Sequence, residues 1–244
     1  LVNSGDIIVR GDDSVAILIQ GAGTGVTGDV LISGSVTARG ENAVGVLVDS
    51  AIGGELSVNG TLLVTGFPST FAPSNQANLD LADDLLIGGS AVHVRDSIAG
   101  GIVIEGVGVE DDDDDDGDAV NEDTDANDDA TAQVRALGSA PALLVQADGV
   151  NIVLGDTDEP GTFGLHNRGS ILADGIFNTI DATALRLEGI GGSTISTTGG
   201  VATDRLIQAI ARQADAYAIS IGDGVTVPLL LNRGTIEGLV ASEG

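Results

Sequence analysis

The sequence predicts an all-β chain wound as a parallel β-helix (β-solenoid), with three strands in each of about six coils. Three observations predict it. One short strand recurs six times, with two aliphatic columns that are never broken. Gly-rich corners separate the strands, 37 of the 244 residues being Gly. Large rings, on which an ordinary globular core relies, are almost missing: four Phe, one Tyr and no Trp.

The recurring first strand reads small–x–small–aliphatic–x–aliphatic, at 14–19, 43–48, 89–94, 140–145, 182–187 and 216–221. One column is Ile17, Val46, Val92, Leu143, Leu185 and Ile219. The other is Ile19, Val48, Val94, Val145, Leu187 and Ile221. The position between them varies freely, from Leu18 to His93 and Arg186. Constancy at period two beside a free position marks a half-buried strand. A Gly-rich corner then leads to a second strand, read at 29–33, 55–58, 101–105, 150–154, 193–196 and 225–231.

The third strand often opens with Asn-x-Gly-x-aliphatic, at Asn3, Asn167 and Asn232. Asn59-Gly60 is a shortened form, and Gly34-Ser35-Val36 lacks the Asn. Asn and Gly tolerate the left-handed backbone of a corner. A stacked Asn is expected to hydrogen-bond its copy in the next coil.

The spacing between coils is 29, 46, 51, 42 and 34 residues along the first column. The excess is assigned mainly to the connection from the third strand to the next first strand. Four insertions are read there: 66–86, 106–137, 175–181 and 199–215. The second of these is read as containing its coil's third strand at 132–137, and a further excursion lies near 155–161. One edge of the prism is therefore expected to carry most of the loops, and loops on one face of a repeat array often form its working face.

Each insertion has its own chemistry. Segment 66–86 is a turn-rich loop holding Phe67 and Phe71, which either pin the loop or meet a ligand. Segment 203–215 reads as a helix, with Thr203 as N-cap and Leu206, Ile207, Ile210 and Ala214 on one face. Segment 110–129 carries 13 acids in 20 residues. Within it, Asp112, Asp114, Asp116 and Asp118 follow the alternate-ligand pattern of a calcium loop, with Gly117 at the turn. Asp123 would stand at the twelfth position, and Asp125 could open a second half-site. Ordered Ca²⁺ binding and a solvated acidic loop are both open at this point.

The formal net charge of −28 excludes general binding to nucleic-acid phosphates and favours cations. No nucleophile triad, phosphate loop or paired metal-binding His motif is present, and His93 and His166 read as structural. Parallel β-helices also include polysaccharide lyases and glycosidases. Here the absence of Trp and Lys, with nine scattered Arg, argues against a sugar cleft, so no enzymatic activity is expected.

The order of these motifs resembles the passenger region of bacterial autotransporters, of the sphingomonad or alphaproteobacterial type. The motifs are Asn-x-Gly-x-Ile, the Gly66-Phe67-Pro68-Ser69-Thr70 loop, Leu81-Ala82-Asp83-Asp84-Leu85 and the Asp-rich insert. The resemblance implies a right-handed β-helix, outer-membrane secretion and display at the bacterial cell surface. It implies a translocator barrel and other segments in a longer parent chain, of which residues 1–244 would be a single β-solenoid fragment. It supplies no catalytic residue. The expected role is a structural or adhesive surface protein, meeting carbohydrate or protein of the surface or matrix through the looped edge. The alternatives are a carbohydrate-active enzyme, and a filament or surface-layer subunit that self-associates end to end through open strand edges.

Overall fold

In the computed structural model, the described residues are 1–21, 25–71, 76, 79–80, 84–106, 131–157 and 163–241. They form a parallel β-helix with no helical insertion. Three long ladders of parallel strands make its faces. Sheet A stacks Val2–Asn3, Val30–Ile32, Leu56–Val58, Ile102–Ile104, Leu165–Asn167, Val201–Thr203 and Leu230–Asn232. Sheet B stacks Ile7–Arg10, Ser35–Arg39, Thr61–Thr65, Gln133–Leu137, Ser170–Asn178, Leu206–Arg212 and Thr235–Ala241. Sheet C stacks Val15–Ile19, Val44–Val48, Val92–Val94, Leu143–Asp148, Ala182–Ile190 and Ala216–Ile221.

Sheet C is the recurring strand of the sequence, in the expected register: Ile17–Val46–Val92–Leu143–Leu185–Ile219 run up one column. Both aliphatic columns face the core, and Val46, Val48, Val92, Val94, Leu143, Val145, Leu185 and Leu187 are fully buried.

A fourth, short ladder was not resolved from sheet A by sequence. Sheet D pairs Ile152–Leu154, Ile195–Thr197 and Val225–Thr226. In the earlier coils it shrinks to single bridges along Val26, Ile52, Ile98 and Leu154. The segments read as second strands at 150–154 and 193–196 belong to this ladder, and 225–231 divides between sheets D and A. The reason is local. Ile52 and Ile98 are followed at once by Gly53-Gly54 and Ala99-Gly100, which turn the chain before a strand can extend.

Three further expectations are corrected. Segment 203–215 is not a helix: Leu206–Arg212 is the sheet B strand of its coil, with Ile207, Ala209 and Ala211 buried in alternation. Pairing to Ser170–Asn178 on one side and Thr235–Ala241 on the other satisfies its backbone. No insertion remains at 199–215. Segment 175–181 is absorbed as a bulge in Ser170–Asn178, where the register shifts between Asp174 and Asn178. The long connections also leave at different corners. Residues 66–91 join sheet B to sheet C as expected. The acidic stretch joins sheet A to sheet B, between Ile104 and Gln133, and the connection between Leu154 and Leu165 joins sheet D to sheet A.

The Asn column also differs. Asn3 pairs with Ile32, and the column continues through Val58 and Ile104 before Asn167, Thr203 and Asn232. No two Asn are adjacent. Asn167 instead donates from Nδ2 to Thr203 Oγ1 at 2.9 Å and to the Leu206 carbonyl at 3.2 Å.

Candidate functional site: the looped edge and its polar columns

Phe67 and Phe177 begin the site. Both are buried outside the main core, with ring centroids 4.7 Å apart and planes at 87°. Leu137 and Ile176 complete this satellite cluster, and Leu63, Leu79, Leu85, Ile87 and Ile180 pack against it. The cluster joins three successive coils, because Leu63, Leu137 and the 174–178 bulge lie on neighbouring strands of sheet B. An edge-to-face aromatic pair of this kind adds about 0.5–1.5 kcal/mol beyond its burial.

The bulge carries strain that the cluster offsets. Ile176 has φ of 60°, which a β-branched residue rarely adopts. Its amide is held by Asp174 Oδ1 at 2.8 Å, and the same oxygen takes Arg212 Nη1 at 2.7 Å. Gln76 closes the edge from the loop side. It accepts the Asn178 amide at 2.8 Å and donates to Asn178 Oδ1 at 3.2 Å.

On this fixed base the two loop phenylalanines part. Phe67 is the pin. Phe71, four residues on, is 82% exposed. Its backbone is tied by Ser69: Ser69 Oγ takes the Phe71 amide at 3.3 Å and donates to the Phe71 carbonyl at 3.0 Å. A bare ring held on an anchored turn is suited to contact rather than to packing.

One outer column of sheet C is polar, with links from coil to coil. Gln20 donates to Asp49 at 3.1 Å, and Arg95 pairs with Asp49 at 3.1 Å. Gln146 and Arg186 both meet Glu188, each at 2.7 Å. His93 lies between these groups, in the column of Leu47 and Leu144. Burial, with the Arg95 guanidinium second, lowers its pKa to about 4, so it is neutral at pH 7. Its Nε2 is buried without a hydrogen-bond partner.

A second set follows the Asn-x-Gly corner, where successive coils alternate Glu105, Arg168, Asp204 and Arg233. Glu105 accepts from Ser57 at 2.8 Å and pairs with Arg168 at 3.5 Å. Arg233 grips Asp204 with two bonds of 2.6 and 3.0 Å, and buried His166 meets the same carboxylate at 2.8 Å. The Arg233 bonds foremost, with help from His166, hold the Asp204 carboxyl below its usual range. Sequence reasoning missed both polar sets. Members paired across coils lie 29 to 63 residues apart, and only the exact length of each coil brings them together.

Among the described residues no group of three His, Asp or Glu is placed to hold a metal ion. Asp112, Asp114, Asp116, Asp118, Asp123 and Asp125 lie outside the described residues. Compared with known proteins, the chain matches no described family, no curated protein and no solved structure.

Proposed function

We propose that this chain is a structural and adhesive surface protein, a rigid rod that meets its partners through the looped edge between sheets B and C, with Phe71 as a contact residue. The observation that carries the reading is the division of labour within one loop. Phe67 is fully buried to fix the loop, while Phe71 is 82% exposed. Polar side chains on the outer face of sheet C link successive coils, which suits a stiff support. The autotransporter resemblance implies display of such a rod at the bacterial cell surface, carried there by a translocator barrel of a longer parent chain. Ca²⁺ bound by the Asp-rich stretch would neutralise part of its charge.

The test uses beads coated with the chain, offered a panel of polysaccharides and matrix proteins. Phe71→Ala should reduce retention on the binding surfaces at least fivefold while leaving the melting temperature unchanged. Equal retention would remove Phe71 from the contact. Shortening of any polysaccharide during the assay would overturn the adhesive reading in favour of an enzyme.

A further inference from the structure

A cavity of about 270 Å³ lies at the corner where the chain passes from sheet C to sheet D. Three successive coils line it: Gly21, Gly25 and Thr27 from one, Ser50 and Gly53 from the next, and Asp96 from the third. A space that touches three coils lies on the side of the rod. It is smaller than the roughly 300–1,000 Å³ of drug-sized sites, so it suits one small molecule rather than a chain.

Two polar groups in this lining lack the partners they need. Ser50 is 6% exposed, and its Oγ has no hydrogen-bond partner. A buried hydroxyl left unbonded is costly unless something in the cavity meets it. Asp96 is half-buried. Its Oδ1 accepts the Ser97 amide at 2.7 Å, and the neighbouring Arg95 pairs with Asp49 instead. Among the described residues no cation pairs with Asp96. The glycines keep the space before Ser50 open, its Oγ lying 3.0 Å from where a Cβ would stand at Gly25 and 3.7 Å from that place at Gly21. Packing alone requires Gly25, where a Cβ would lie 1.8 Å from the Ala51 carbonyl oxygen. It does not require Gly21, where a Cβ would make only ordinary contacts and φ is outside the left-handed region. A side chain at Gly21 would instead fill the space that Ser50 faces.

We propose that this cavity binds a small polyol carrying an ammonium group, an amino sugar unit, with the ammonium on Asp96 and a ring hydroxyl on Ser50. An unneutralised carboxylate on a chain of net charge −28 draws a cation. A hydroxyl both donates and accepts, so it meets the Ser50 Oγ in either sense. A bare ammonium would leave most of the volume empty, and a sugar ring occupies it. A metal ion fits the lining less well, since Ca²⁺ takes about 6–8 oxygens and the described residues hold no group of three metal-ligating side chains. The inference assigns a second site, away from Phe71, and does not rest on the adhesive reading.

The probe is glucosamine, titrated into the chain in mildly acidic buffer that protonates its amine, and followed by the amide NMR shifts of Gly21, Ser50 and Gly53. N-acetylglucosamine, glucose and CaCl₂ are the parallel arms. Glucosamine should shift these amides saturably at millimolar concentration. Removing the charge, from the sugar in N-acetylglucosamine or from the protein in Asp96→Asn, should weaken binding about tenfold or more, the scale of one charge-assisted hydrogen bond. The Asn side-chain oxygen still accepts the Ser97 amide, so that variant keeps its fold. Ser50→Ala loses no bond within the chain, so its melting temperature should equal or exceed that of wild type while glucosamine binds more weakly. Gly21→Ala should keep the melting temperature and lose the binding. The absence of a saturable shift overturns the proposal and leaves the cavity to ordered water. An equal response to glucosamine and glucose, or binding that survives Gly21→Ala, also overturns it. Saturation by CaCl₂ alone overturns it in favour of a metal ion. Phe71→Ala should bind glucosamine as wild type does, so this site and the looped edge stand or fall separately.

Discussion

Phe67 and Phe71 differ only in what surrounds them, and that decides what each can do. Phe67 fills a cluster that ties the loop to three coils, so Phe67→Ala removes a buried ring and leaves a cavity beside the strained Ile176. Such a change costs about 3–5 kcal/mol. Urea unfolding should show that loss, and a loss below about 1 kcal/mol would mean that the cluster collapses without the ring. His93 supports a second prediction. Its folded pKa of about 4 lies below the ordinary 6.5, so between these values the unfolded chain binds more protons. The stability this neutral ring preserves is complete above pH 6.5 and is lost as the pH falls towards 4. A gap of that size corresponds to about 3 kcal/mol. His93→Leu, which matches Leu47 and Leu144 above and below it, should flatten that part of the pH–stability curve. The difference between the two proteins in urea midpoint at pH 7 and pH 4.5 is the measurement. An unchanged difference refutes the assignment to His93.

At the scale of the element, Leu206–Arg212 shows why sequence periodicity reached one answer and the fold another. Leu206, Ile207, Ile210 and Ala214 do lie on one helical face, but Ile207, Ala209 and Ala211 lie equally well on one strand face. The tie is broken by the neighbours, whose open edges on both sides take this backbone in register. Single-sequence periodicity carries no record of that demand. The two patterns predict different mutants. Ile207 is buried and Ile210 half-buried on the opposite strand face, so Ile207→Gln should cost roughly 3 kcal/mol or more and Ile210→Gln about 1 kcal/mol or less. Similar costs at both positions, read by urea unfolding, would restore the helical face. The same reasoning marks what was legible. The Ile17 and Ile19 columns were, because six copies of one strand outvote local ambiguity. Sheet D was not, because in the first coils it is one residue long. The Glu105–Arg168–Asp204–Arg233 column was not either, because 36 or more residues separate some of its neighbours and the long connections hide the true coil length. Of the candidate site, the loop and its two phenylalanines could be read; their opposite roles needed the bulge at Ile176, which no local pattern announces.

At the scale of the whole molecule, each coil touches mainly the coil before and the coil after, so stability accumulates along one axis. Charge accumulates along the same axis and opposes it. The chain carries 37 acids against nine Arg; four of those Arg, at 95, 168, 212 and 233, pair with carboxylates in adjoining coils, and Arg186 pairs with Glu188 within its own strand. Those pairs are partly exposed and each adds little, so salt weakens the rod only slightly through them. The unpaired excess of negative charge is confined to a rod roughly 30 Å long, at about 4.8 Å per coil, and unfolding lets it spread. Screening should therefore favour the folded state: raising NaCl from 0.02 to 0.5 M should raise the melting temperature by several degrees. Changing the six Asp at 111–116 to Asn should reduce that slope, because these carry the densest charge in the chain. Ca²⁺ at matched ionic strength separates screening from binding. If the Asp-rich stretch takes up the cation, millimolar CaCl₂ should stabilise the wild type beyond NaCl and leave the Asn variant with the NaCl effect alone. Equal responses to the two salts would refute specific uptake and leave only screening. A melting temperature that falls with NaCl would show that the inter-coil ion pairs, rather than the net charge, govern the stability of the rod.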